Sequence, residues 1–302
     1  MTEQKWTRSS LRHLAARLKD QGNSLSSVTT GRLLRKNKYA PKVNVKRKAG
    51  AAHPDRNRQF EYLCARKQAF LDAGQPVVSV DTKKKELVGD FKNAGACWCQ
   101  EADAVNLHDF PQDAVGRAVP YGLYDVAANV GAVYVRASAD TPAFAVTAIA
   151  SWWESEGKPR YPKATRLLIL CDAGGSNGCR PRAWKQQLQE QLSDRFGLEV
   201  TVCHYPTGCS KWNPIEHCLF SQISGNWAGK PLRTFETVLA YLRGTTTQKG
   251  LTVSASLLEG VYAIGQKVSN AVMQALNLHF HSVCPRWNYT LKPRLAAEGD
   301  AL

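Results

Sequence analysis

The chain predicts an α/β protein, a mixed sheet flanked by helices, preceded by a basic all-α segment. Three observations carry this. Residues 167–171, Leu-Leu-Ile-Leu-Cys, are five apolar residues in a row, too many for a strand with one wet face, and read as a short strand buried on both sides. Around it strand and helix patterns succeed one another in the order of a sheet covered by helices. Ahead of both, residues 1–58 hold 15 Lys/Arg against three Asp/Glu, leaving 25 against 22 for the rest of the chain.

At 302 residues the length admits one large domain or two. The composition shift predicts two: a basic arm and linker over 1–58, and an α/β domain with a C-terminal helical extension over 59–302. A basic arm before a nearly neutral domain is the electrostatic footprint of nucleic-acid binding, although a solubilising tail has the same composition. No uncharged apolar run approaches the ~18 residues of a membrane span, and the N-terminus lacks the apolar core of a secretory signal. A cytoplasmic, nucleoid-associated protein without a membrane partner is therefore expected. Nine cysteines are scattered without disulfide or zinc spacing, Cys97-Trp-Cys99 being only a weak pattern, and predict free thiols.

Taken in order, residues 7–20 place Leu11, Leu14, Ala15 and Leu18 on one face of a helix that Ser9 or Ser10 can cap. Gln21-Gly22-Asn23 breaks it. A second helix over 24–38 has Ser26 or Ser27 as cap and Val28, Leu33 and Leu34 inward. Two helices across a short Gly-containing turn read as a helix-turn-helix, whose second helix would offer Thr29, Thr30, Arg32, Arg35, Lys36 and Lys38 to DNA. An ordinary helical hairpin has the same spacing. From 39 to 58 there is no periodicity, and Lys46, Arg47 and Lys48 suit a linker lying along a phosphate backbone. A helix follows at 59–73 and ends at Gly74.

Residues 76–81 form a strand that stops at Asp81, ahead of Lys83, Lys84 and Lys85, which are either a solvated turn or phosphate contacts. Further strands are expected at 122–126 and 131–137, and a helix at 141–156. The 167–171 strand stops at Asp172, where Gly174, Gly175 and Gly178 open a loop. A helix over 181–196 with Pro181 in its first turn, a strand over 198–203, a loop over 204–211 and a helix from Trp212 complete the pattern. Trp152, Trp153, Trp184 and Trp227 read as core rather than as platforms for bases.

Two aspartates at the C-terminal ends of buried strands sit where α/β proteins place ligands, although Asp before Gly also starts turns. Side by side they repel and call for a cation. Hard carboxylate oxygens suit Mg²⁺ or Mn²⁺, and two such ions support in-line phosphoryl transfer. Glu216 joins this set by its place near a helix start, but Asn213, Pro214 and Glu216 together also read as a capping box. His204, Asn213 and His217 flank it as candidates for supporting the carboxylates.

The segments Ser79-Val-Asp-Thr-Lys-Lys-Lys-Glu86, Cys171-Asp-Ala-Gly-Gly-Ser-Asn177 and Cys203-His-Tyr-Pro-Thr-Gly-Cys-Ser-Lys-Trp-Asn-Pro-Ile-Glu-His217 resemble the ISAzo13-type insertion-sequence transposases. Trp227-Ala-Gly-Lys-Pro-Leu232, Thr245-Thr-Thr-Gln-Lys-Gly-Leu251 and Trp287-Asn-Tyr289 extend the resemblance over about residues 20–294. The Asn-Pro-Ile-Glu element is also similar to Tc1/mariner-like transposases. The resemblance implies a ribonuclease-H-like fold and an acidic triad of Asp81, Asp172 and Glu216 binding Mg²⁺ or Mn²⁺, two ions in all. It further implies strand cleavage and transfer, with double-stranded DNA (element ends and target) and a homo-oligomer on DNA as partners. Two departures stand out: Pro206-Thr-Gly-Cys209 where a second proline and a threonine are usual, and an N-terminal region short for the family. The second leaves open a catalytically decayed, transposase-derived DNA-binding protein.

Overall fold

In the computed structural model the described residues are 7, 9–42, 53–137, 140–260, 262 and 264–294. The chain divides into two compact units, residues 1–50 and 51–302. Lys46, Arg47 and Lys48 lie outside the described residues.

The first unit contains α1 (Leu11–Asp20) and α2 (Ser27–Lys36). Ser10 and Ser26 are the caps, each hydroxyl accepting the backbone N–H three residues on. The inward face of α2 is only partly the expected one, keeping Leu34 but not Val28 or Leu33. Val28 is 67 % exposed and Leu33 is also exposed, while Thr30 and Gly31 are buried and Ser27 and Leu34 half-buried. Those four stand at i, i+3, i+4 and i+7, one face of a helix. Gly31 sits against α1: a Cβ there would meet the tip of the Leu11 side chain, Cδ1, at 2.9 Å. Thr30, expected to be offered to DNA, is buried instead, its hydroxyl donating to the Ser26 carbonyl at 2.9 Å.

The second unit opens with α3 (Arg56–Asp72), which runs across the boundary expected at 58. Its inner face, with Leu63 and Phe70, needs the first turn to dock Gln59, so residues 53–58 belong to this unit. The strands are β1 (Val77–Thr82), β2 (Glu86–Val88), β3 (Gly116–Asp125), β4 (Val130–Arg136), β5 (Arg166–Asp172), β6 (Glu199–Tyr205), β7 (Thr252–Leu257), β8 (Leu278–Phe280) and β9 (Asn288–Leu291). They make one nine-stranded mixed sheet in the order β7-β4-β3-β1-β5-β6-β9-β8, with β2 on β3. β1, β5 and β6 are parallel neighbours, and β3 is antiparallel to β1 and β4.

The buried strand behaves as its composition requires. Leu167, Ile169 and Cys171 enter a core with Trp152, Trp153 and Trp184, while Leu168 and Leu170 enter another with Leu63 and Phe70. The first of these cores is covered by α4 (Pro142–Trp152) and the helix Arg182–Leu188. Pro181 precedes that helix as its cap instead of entering its first turn. Trp227 is buried in a third core, beneath the helices Ser221–Asn226 and Phe235–Arg243. The C-terminal part is not the expected helical extension. Among the described residues it supplies β7, β8 and β9 and one short helix, Asn270–Gln274, because residues such as Tyr289 and Leu291 extend the buried sheet past β6. Among the described residues no helix is long and apolar enough to cross a membrane, and the nine cysteines are free.

Candidate active site

β1 and β5 run side by side in the same direction, with Val80 paired to Cys171. The next residue on each strand is Asp81 and Asp172, so both carboxylates emerge together at the C-terminal edge of the sheet. Burial, and then the Asp172 charge, push the Asp81 carboxyl up to about 7, against the 2.7 Å hydrogen bond from the Thr82 N–H. Glu216 and Asp140 push the same way. Asp172 is also raised, by burial first and by Glu216, while the amide of Asn213 opposes the shift.

Asn213 joins these elements. Its Nδ2 donates to Asp172 Oδ1 at 3.2 Å, and its Oδ1 accepts from the Ser79 hydroxyl of β1. The same Ser79 oxygen accepts the Ile215 N–H at 3.2 Å. The capping box read from the sequence is thus not formed: Asn213 spends its side chain on Asp172, and the helix start is capped from β1, 136 residues away. Ser79 and Asn213 are fully buried. One hydrogen-bonded joint therefore ties β1, β5 and the helix start that carries Glu216. Glu216 begins a π-helical turn, Glu216–Phe220, and its N–H donates to the Asn213 carbonyl at 3.1 Å.

Behind Asp172 lies a second buried chain. His204, expected in a loop, is a residue of β6 paired to Cys171, because the strand runs on through Tyr205. Trp184 Nε1 donates to the Tyr289 hydroxyl at 2.9 Å, and that hydroxyl lies 3.2 Å from His204 Nε2. With its oxygen accepting from Trp184, the hydroxyl gives its proton to Nε2, which leaves Nδ1–H to donate to the Asp172 carbonyl at 3.0 Å. Burial lowers the His204 pKa to about 4 and keeps the ring neutral. His204 thus braces the strand end, not the carboxylate. His217 is exposed and meets the Lys211 carbonyl instead of any of the three acids.

The donors present suit a hard divalent cation at the aspartate pair, where burial raises both carboxyls and the Asp172 charge raises Asp81 further. Buried polar atoms without a hydrogen-bond partner among the described residues are Thr82 Oγ1 on β1, Tyr121 OH on the neighbouring β3, Asp140 Oδ1 ahead of α4, and Ser176 Oγ and Asn177 Oδ1 in the loop after β5. The structure does not draw the third acid into this pair. Among the described residues no three His, Cys, Asp or Glu side chains stand close enough to form a metal centre.

Over residues 1–293 the sequence matches the family described as the Rhodopirellula transposase DDE domain. The chain belongs to this transposase family. No curated protein sequence matches it. Among solved structures it is similar to the Mos1 transposase paired-end complex with left transposon end, with TM-score 0.47 and 14 % identity over 78 % of this chain and 65 % of that one. It is similar also to the Mos1 mariner paired-end complexes with Mn (TM-score 0.45, 18 % identity, 78 % and 65 % coverage) and with Mg (0.48, 15 %, 80 % and 72 %). The chain thus spans just under two thirds of the length of the first of these Mos1 chains.

Two residues of this candidate site escaped the sequence reading. Ser79 had a signal, a lone hydroxyl within an otherwise apolar strand, Val77–Val80. Asp140 had none, since only the fold brings it within electrostatic reach of Asp81. Of the residues expected to meet DNA, Arg32, Arg35, Lys36 and Lys38 are exposed and Thr29 is half-buried. Lys83 is buried and Lys84 is 82 % exposed.

Proposed function

We propose that this chain is a DDE transposase that binds the ends of an insertion sequence and catalyses metal-dependent DNA cleavage and strand transfer. The observation that carries the reading is the pairing of Asp81 with Asp172 on adjacent parallel strands, joined through Asn213 to the turn that leads into Glu216. The run β4-β3-β1-β5-β6, antiparallel in its first half and parallel in its second, supports a ribonuclease-H-like domain.

Asp81, Asp172 and Glu216 would hold Mg²⁺ or Mn²⁺, two ions in all. When bound, these lower the pKa of an attacking water or 3′-hydroxyl and stabilise the leaving oxygen. The chain's own part is positional. Asn213 orients Asp172 by its amide, Ser79 holds Asn213 against β1, and His204 fixes the strand end from behind. Glu216, half-buried on its helical turn, would be the third of these ligands. The helix pair of residues 1–50 serves as the end-binding helix-turn-helix, offering Thr29, Arg32, Arg35, Lys36 and Lys38, with Lys46, Arg47 and Lys48 along the backbone. Double-stranded DNA, at element ends and target, and further copies of the chain are the partners, in the bacterial cytoplasm at the nucleoid.

The test is cleavage of a duplex carrying the repeats that flank the gene, in Mg²⁺ or Mn²⁺ against EDTA, by wild type and Glu216→Gln. Metal-dependent cuts at the repeat ends, lost in the variant, are expected. Uncut DNA that is nevertheless bound by wild type would replace this reading with the decayed, DNA-binding one.

A further inference from the structure

Trp152, Trp153, Trp184 and Trp227 are buried, but Trp212 is 52 % exposed. It closes the short 3₁₀ turn Ser210–Trp212, and the residues on both sides of it are tied down. On one side the Lys211 carbonyl meets the His217 ring, on the turn that begins with Glu216. On the other, Asn213 gives its amide to Asp172 at 3.2 Å. The indole thus stands on a stretch anchored at two points to the candidate active site.

The ring leans on further aromatics. Phe60 of α3 meets it close to edge-on, with centroids 6.1 Å apart, and Phe60 in turn meets the buried Tyr205 at the end of β6, also at 6.1 Å. Cations flank the same rings. The Lys211 ammonium lies 5.3 Å from the Trp212 centroid, and the Arg56 guanidinium lies 5.4 Å from that of Phe60. Arg56 also donates from Nε to Cys209 Sγ at 3.4 Å. Among the described residues neither cation has a carboxylate within ion-pair distance.

A single exposed apolar residue calls for no explanation. Trp212 differs in its fixed mounting, its place next to Asn213, and the unpaired cations around it. An aromatic face bounded by cations suits a flat ring carried on an anionic backbone, which is a nucleobase. Within a duplex both faces of a base are covered by its neighbours, so only a base drawn out of the stack reaches the indole. Lys211 is exposed, and its flexible stem lets it leave the ring for the phosphate of that nucleotide.

We propose that Trp212 is a stacking platform for one unpaired base of the DNA, next to the phosphate that Asp81 and Asp172 address. The inference rests on the transposase reading and adds a requirement to it: the duplex opens at the point of cleavage. Every base has a flat face, so the platform selects a position along the strand and not a sequence.

Duplexes carrying the flanking repeats test this, altered one position at a time around the cleavage site. In one set a base of the cleaved strand faces an abasic partner and is left unpaired. In the other the abasic residue replaces the base itself. Affinity for the full chain is measured in EDTA. At one position wild type is expected to bind the unpaired base about tenfold more tightly than the missing base, the size of one base–aromatic stack. Trp212→Ala should abolish that difference, and Trp212→Phe, which keeps a flat ring, should retain most of it. Equal losses by Trp212→Ala on paired, unpaired and missing-base duplexes would make the indole a packing residue and overturn the platform. If wild type cuts the repeat ends but distinguishes unpaired from missing bases at no position, the platform falls and the transposase reading stands. If wild type neither binds nor cuts the repeats, the transposase reading itself falls.

Discussion

Asp81→Asn is expected to stabilise the metal-free protein at neutral and alkaline pH. The folded carboxyl titrates at about 7 instead of 3.8, because burial and the neighbouring Asp172 both oppose its charge. That displacement corresponds to ~4 kcal/mol once the group is ionised in both states. The direction follows from which state keeps its proton. Between about pH 4 and pH 7 the unfolded chain has released the proton and the folded chain has not, so stability falls as pH rises through this window and stays low above it. Asn keeps an oxygen for the Thr82 N–H and removes the titration. The variant should therefore match wild type near pH 4 and exceed it by up to ~4 kcal/mol near pH 8. For a unit of roughly 250 residues that is on the order of 10 °C in Tm. Urea unfolding in EDTA, followed by tryptophan fluorescence at about pH 4.5, 6 and 8, measures it. Mg²⁺ or Mn²⁺ should then raise the stability of wild type and leave Asp81→Asn nearly unmoved, since a ligand of the native state stabilises only the protein that binds it. An advantage no larger at pH 8 than at pH 4.5 would refute the strained aspartate pair.

Other outcomes follow from the same geometry. Asn213→Ala leaves Ser79 and Asp172 without a shared partner and should cost about 1–3 kcal/mol of stability. It should slow cleavage far more than it weakens DNA binding; equal losses in both would return Asn213 to a purely structural role. Replacing Arg32, Arg35 and Lys36 together by Ala should weaken end binding and reduce the slope of log affinity against log salt by up to about 3. An unchanged slope would remove α2 from the DNA interface. Gly31→Val sets a branched side chain against Leu11 and should destabilise the helix pair of residues 1–50 by about 1 kcal/mol while leaving the unfolding of residues 51–302 intact; a joint loss would contradict their division into two units.

Much of the fold was legible because its signals are local. The run Leu167–Cys171 announces a strand buried on both faces, since no solvent-facing residue interrupts it, and it divides between two cores as that composition requires. The segments that carry the family resemblance contain Asp81, Asp172 and Glu216, and the family match spans nearly the whole chain. Less was legible where a residue's environment comes from distant chain. The pattern Val28, Leu33, Leu34 suggested one buried face for α2, but of these only Leu34 turns inward, beside Thr30 and Gly31. The C-terminal strands were invisible because short edge strands such as Leu278–Phe280 have too few residues to show a period.

From composition and periodicity alone came the mixed sheet with its helices, the basic N-terminal region and two aspartates at strand ends, because apolar runs, charge and chain breaks are properties of neighbouring residues. Tertiary structure alone decided that Asn213 serves Asp172 and not its own helix, that His204 is a neutral buried brace, and that Lys83 is held over Trp227. A side chain with several hydrogen-bonding or ionic choices takes the partner that burial puts within reach, and in this protein those partners lie 32 to 144 residues away along the chain.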